Sequence, residues 1–156
     1  MQTVNLFDDK LRLYLPDDFY QVEESEASDI YPSLERPQVI FAVAEFSRFL
    51  TFSLLDKSLG LEEASVAARE MRKLIWSLYP NSMLTTALPI RFGDFRCSGF
   101  SFKTGANEAQ IYNTMFVVSF EDRLLMGTFG CRLDDDEGKE MLKKLIAEAE
   151  HLEAAE

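Results

Sequence analysis

The chain has 156 residues, about the size of one domain and enough to bury a core without disulfide or metal staples. Its 27 acidic against 16 basic residues give a formal net charge of −11, which repels phosphate backbones and anionic lipid head groups and so disfavours nucleic-acid and membrane partners. Two cysteines without C-x-x-C spacing, a start lacking both basic and apolar signal regions, and no apolar run near the ~18 residues of a membrane span point to a cytoplasmic setting.

The first element is a hairpin. Leu6 and Phe7 lead into Asp8-Asp9-Lys10, and Leu11 to Leu15 then alternates as a half-buried strand does. Pro16-Asp17-Asp18 closes it, because proline cannot donate to a strand ladder and aspartates favour turns. Phe19 to Val22 is a short extended piece. Residues 23–37 read as a loop, with Glu23, Glu24, Glu26 and Asp29 repelling one another between Ser25, Ser28 and two prolines. Val39 to Ala44 is continuously apolar, which suits a strand covered on both faces, and Phe49 to Leu55 follows with Leu50, Phe52 and Leu54 on one face.

The spacing predicts a helix over 61–79, with Ala64, Ala68, Met71, Leu74, Ile75 and Leu78 as its buried stripe, Glu62 and Glu63 in its first turn and Tyr79-Pro80-Asn81 ending it. Four strands follow as a meander: 83–92 and 95–102 around the two-residue turn Gly93-Asp94, then 109–120 and 124–133 around Glu121-Asp122-Arg123. In the last of them Leu125, Gly127, Phe129, Cys131 and Leu133 share a face. Asp134 and Glu137 have capping-box spacing ahead of a closing helix whose stripe is Met141, Leu142, Leu145, Ile146, Ala149 and Leu152. The sum is a single α+β domain over 1–156, a largely antiparallel β-sheet flanked by two main helices.

Candidates for chemistry are few. His151, the one histidine, falls on the last turn of the closing helix, where a cation suits the dipole, and has no partner set for a triad or a zinc site. Cys97 and Cys131 sit inside strands and read as buried thiols. The consecutive acids Asp134 to Glu137 lack calcium-loop spacing and read as a helix cap. No catalytic, cofactor-binding or metal residue is assigned, and no cofactor is expected.

The order of elements and the Leu15-Pro16-Asp17-Asp18-Phe19 step resemble the PsbP-like superfamily, including its DcrB-type bacterial members, over almost the whole chain. The resemblance implies an α/β/α sandwich and non-enzymatic roles as accessory subunit, adaptor or chaperone-like binder, with no residue roles to carry over. The leading expectation is a non-enzymatic cytoplasmic protein-binding module, with an unidentified, basic partner met by Glu23, Glu24 and Glu26. The alternative is a small-molecule-binding protein or enzyme with a pocket between sheet and helix, and a third class is a homo-oligomeric structural subunit.

Overall fold

A computed structural model describes residues 1–23, 25–27, 37–60, 63–78, 84–104 and 110–152. The strands are β1 (Gln2–Leu6), β2 (Leu11–Leu15), β3 (Tyr20–Gln21), β4 (Val39–Ala42), β5 (Arg48–Ser58), β6 (Leu88–Pro89), β7 (Cys97–Thr104), β8 (Ile111–Phe120), β9 (Arg123–Arg132) and β10 (Glu150–His151). The two main helices are α1 (Ala64–Leu78) and α2 (Asp136–Ala147). Seven strands form one sheet in the order β3-β4-β5-β9-β8-β7-β6, and β1, β2 and β10 form a second, three-stranded sheet. Every pairing is antiparallel, and β6 to β9 are the expected meander.

Period-two alternation sends the large sheet's side chains to two different cores. Leu50, Phe52, Phe116, Val118, Phe120, Leu125 and Phe129 face the small sheet and α2, where they meet Leu11, Leu13, Leu15, Leu142 and Ile146. The opposite face gives Val117 and Leu124 to Ala64 and Ala68 of α1, and Phe100 and Phe102 to Ile75. The two alanines, one turn apart, let the helix lie close on the sheet. The layers are therefore helix, sheet, and helix with a small sheet.

Turn chemistry sets the hairpins. Glu121 (φ 51°) and Asp122 (φ 60°) both take left-handed conformations, as a two-residue primed turn demands. In the first hairpin Phe7, Asp8 and Asp9 are all left-handed, at φ 54°, 58° and 60°. Aspartate tolerates that region and phenylalanine does not, so Phe7 needs compensation. Its ring supplies it by packing 5.9 Å from Phe120 and 6.5 Å from Phe52.

Several expectations need correction. The strand foreseen over 83–92 shrinks to Leu88–Pro89 plus a Phe92–Phe95 bridge, because Pro89 removes a donor and little of the run pairs. The apolar run Val39 to Ala44 leaves the sheet after Ala42 and turns over Ala44–Phe46, with Glu45 at φ 62°. Leu74 and Leu78 of the presumed stripe are more than half exposed, since α1 rests on the sheet mainly through Ala64, Ala68 and Ile75. The closing helix is capped by Asp135, not Asp134, and ends at Ala147, so His151 lies on the edge strand β10 instead of a helical turn. The first hairpin is present as expected, and with β10 it makes the small sheet. Glu62, the Tyr79-Pro80-Asn81 stop and Glu24 lie outside the described residues.

At the middle of the core, Gly127 of β9 pairs with Phe52 on one side and Phe116 on the other. Rings Phe52, Phe92 and Phe116 close over it, with centroids 5.4 to 6.0 Å apart. A Cβ at Gly127 would lie 2.3 Å from Phe116 Cζ, so the ring fills the space a side chain would take. Gly127→Ala is therefore expected to lower unfolding free energy by about 1–3 kcal/mol in a urea titration, through overpacking. Adding Phe116→Leu should recover part of that loss, because the two changes share one space.

Candidate functional site

A concave surface lies where α2 stands over β6, β7 and β8. Asp135 fixes the start of α2. Its carboxylate accepts from the Gly138 amide at 2.9 Å as a helix cap and from Arg48 Nε and Nη2 at 2.8 and 3.0 Å. The end of α2 is held by the turn after β6, where the Gly93 amide donates to Ala147 O at 3.2 Å. Between these two fixings the helix stands over the sheet and leaves a cleft of about 1150 Å³.

The floor of the cleft is polar. Ser101 on β7 and Thr114 on β8 are register partners, and their hydroxyl oxygens are 2.8 Å apart. The phenol of Tyr112 donates to Ser101 Oγ at 2.9 Å, and in the Ser101–Thr114 contact either hydroxyl can be the donor. Lys139 of α2 stands 4.9 Å above the Tyr112 ring and donates from Nζ to Leu133 O at 2.6 Å and Asp136 at 3.3 Å. Ile90 and Leu88 on one bank and Met141 on the other are apolar. The cleft thus offers hydroxyl donors and acceptors below, between banks that mix apolar and charged side chains.

Apart from Glu137, which lines the α2 bank, the residues singled out from sequence lie elsewhere. Cys97 and Cys131 are both buried in the main core, and burial pushes the Cys97 thiol up to about 12, where it stays protonated at any working pH. Burial raises Cys131 as well, and its Sγ donates to Asp135 O at 3.6 Å. His151 Nε2 lies 2.6 Å from Glu121 Oε1, and its ring packs 5.2 Å from Phe95 and 5.9 Å from Phe120. The acids at 134–137 serve structure: Asp134 meets Arg132 at 3.6 Å, Asp135 caps α2, Asp136 meets Lys139, and the charge of Glu137 acts on Arg48. Glu23 and Glu26 are exposed near β3, at the sheet edge opposite β6, and Glu26 accepts from Tyr20 OH at 2.9 Å.

Sequence reasoning missed Ser101, Tyr112, Thr114 and Lys139. A signal was present in the strands. Inward positions of β8 read Phe120, Val118, Phe116 and then Thr114, Tyr112, and those of β7 pass from Cys97 through Gly99 to Ser101. A face that turns from apolar to hydroxylic along its length marks where core gives way to a wetted site.

No protein-family model matches the chain, and no curated protein matches it significantly in sequence. Solved structures do. A crystal structure from Bacteroides thetaiotaomicron aligns over 99% of this chain with a TM-score of 0.67 at 10% identity, and the chain spans only 49% of that longer protein. The cyanobacterial PsbP (CyanoP) of Synechocystis aligns over 97% of this chain and 92% of its own, with a TM-score of 0.63 at 15% identity. The fold is PsbP-like. LpqN of Mycobacterium tuberculosis, described as involved in cell envelope biogenesis, shares it with a TM-score of 0.54 at 14% identity over 95% of this chain and 88% of its own. At such identities the likeness concerns the PsbP-like architecture, an antiparallel sheet with flanking helices. Among the described residues no helix is long and apolar enough to cross a membrane.

Two carboxyls are held below the usual range, Asp135 by its hydrogen bonds from Arg48 and Glu121 by its bond with His151. A depressed carboxyl binds its proton less tightly folded than unfolded, so protons favour the unfolded chain. The stability from these pairs is fully present above the unfolded values of about 4 and is lost as pH falls through the folded ones. Urea midpoints compared for the parent and Asp135→Asn should differ most above about pH 5 and converge towards pH 2.

Proposed function

We propose that the protein is a non-enzymatic binding module that holds an extended segment of a partner protein in the cleft between α2 and β6–β8, in the manner of an adaptor or chaperone-like binder. The observation that carries this reading is the size and lining of the cleft. Its 1150 Å³ exceeds the roughly 300–1,000 Å³ of usual small-molecule pockets, and it combines a hydroxyl floor with banks that carry both apolar and charged side chains. The stretch from Glu137 of α2 to its C-cap Glu148 runs about 16 Å at helical rise, the length of about five residues of extended chain. Main-chain groups of such a segment would find partners in Ser101, Tyr112 and Thr114, and its alternate side chains would find Leu88, Ile90 and Met141.

The partner enters the cleft and does not simply extend the sheet. β6 is two residues long and its second residue is Pro89, a combination that blunts edge pairing. The side chains best suited to covalent chemistry are occupied away from the cleft, both thiols in the core and the imidazole against Glu121. The apolar residues of the lining, Leu88, Ile90 and Met141, also favour a second reading, a carrier of an elongated apolar small molecule. Two further elements belong to the proposal: a cytoplasmic setting, which two buried unpaired thiols suit, and membership of the DcrB-type branch, which rests on the Leu15-Pro16-Asp17-Asp18-Phe19 step. Glu23, Glu24 and Glu26 stay a separate proposed contact for a basic surface, and of these Glu23 and Glu26 lie at the other edge of the sheet from the cleft.

Selection from a random peptide display library, followed by amide chemical-shift mapping of the enriched peptide, tests the reading. Shifts should concentrate at Ser101, Tyr112, Thr114 and Lys139, and Ala147→Trp, which fills the cleft from its α2 bank, should weaken binding by about tenfold or more. Failure to enrich any peptide, or shifts confined to the α1 face, would contradict it.

A further inference from the structure

The charges around the cleft go further than its shape. Arg91 is exposed on the β6 bank, two residues before Gly93, whose amide bonds to Ala147 O at the end of α2. Lys143 and Lys144 are exposed on the α2 bank, within one turn of Ala147. The Gly93 contact therefore brings cations from both banks to the same end of the cleft. Among the described residues none of the three is in an ion pair, whereas Lys139 at the other end is committed to Leu133 O and Asp136. Of the acids on the banks, Glu137 acts on Arg48, which leaves Glu140 and Glu148 against three free cations. Even with Asp94 exposed beside Gly93, three unpaired cations gather here in a chain of net charge −11. The wider negative charge is screened beyond about 8 Å at physiological ionic strength, so the nearest groups decide what seats there.

Resting on the cleft as a peptide site, we propose that the bound segment carries a carboxylate side chain that seats between Arg91 and the Lys143–Lys144 pair. The hydroxyl floor holds the main chain and the cations select the acid. Such a contact is exposed enough to weaken with salt and strong enough to discriminate an acid from its amide.

The probes are three acetylated and amidated pentapeptides, Leu-Glu-Leu-Glu-Leu and its counterparts with Gln or Lys in place of Glu. Each is titrated by fluorescence polarisation and mapped on the amide spectrum of the full chain. The Glu peptide should bind about tenfold more tightly than the Gln peptide, and the Lys peptide more weakly than either. The double substitution Lys143→Gln and Lys144→Gln, both exposed, should erase the Glu preference, and added salt should narrow it. Equal affinity of the Glu and Gln peptides at the cleft overturns the carboxylate inference while leaving the peptide site intact. If no probe moves the amides of Ser101, Tyr112 or Thr114, the inference and the peptide reading beneath it both fall.

Discussion

The arrangement depends on one ion pair. Arg48 opens β5 and Asp135 precedes α2, 87 residues later, and their bidentate contact is only about a quarter exposed on each side. Asp135 has two tasks, since the same carboxylate caps the first turn of α2 at the Gly138 amide. The absence of a side chain at Gly138 makes this possible, because a Cβ there would lie 2.2 Å from Asp135 Oδ2 and 2.8 Å from Arg48 Nε. One residue thus fixes where the helix starts, which way it points and which strand it is tied to.

With its start fixed there and its end fixed at Gly93, α2 cannot lie flat over the whole sheet. Its apolar side chains, Leu142, Leu145 and Ile146, sink into the phenylalanine core that Gly127 makes room for. Its other face stands over the hydroxyl end of β7 and β8 and leaves the cleft. The core and the site are therefore two ends of one sheet face. What separates them is the change from Phe and Val to Thr and Tyr along β8. A binding surface made this way is rigid, carried on strands and a capped helix, which lowers the ordering cost of binding.

Much of this architecture was legible from local chemistry. The meander showed in period-two runs separated by Gly93-Asp94 and Glu121-Asp122, and the PsbP-like sandwich showed in the order of elements. What local chemistry could not show was contact at a distance. Capping-box spacing points to Asp134, and the contact with Arg48 puts Asp135 in that place instead. His151 extends a helical period convincingly, yet the register of β2 draws Glu150 and His151 into a sheet. Leu74 and Leu78 fit the stripe of α1, but the sheet beneath reaches only as far as Ile75. The site was hidden for the same reason, since Ser101, Tyr112 and Lys139 become a group only when β7, β8 and α2 are brought together.

A double-mutant cycle on Arg48→Met and Asp135→Ser tests the anchor most directly. Methionine keeps the apolar stem of the arginine, and serine keeps a capping oxygen while removing the charge. Urea unfolding of the parent, both single variants and the double should give a coupling of about 1–2 kcal/mol, as a partly buried bidentate pair is expected to show. A coupling below about 0.3 kcal/mol, within the additivity of independent sites, would contradict the claim that this pair holds α2 in place.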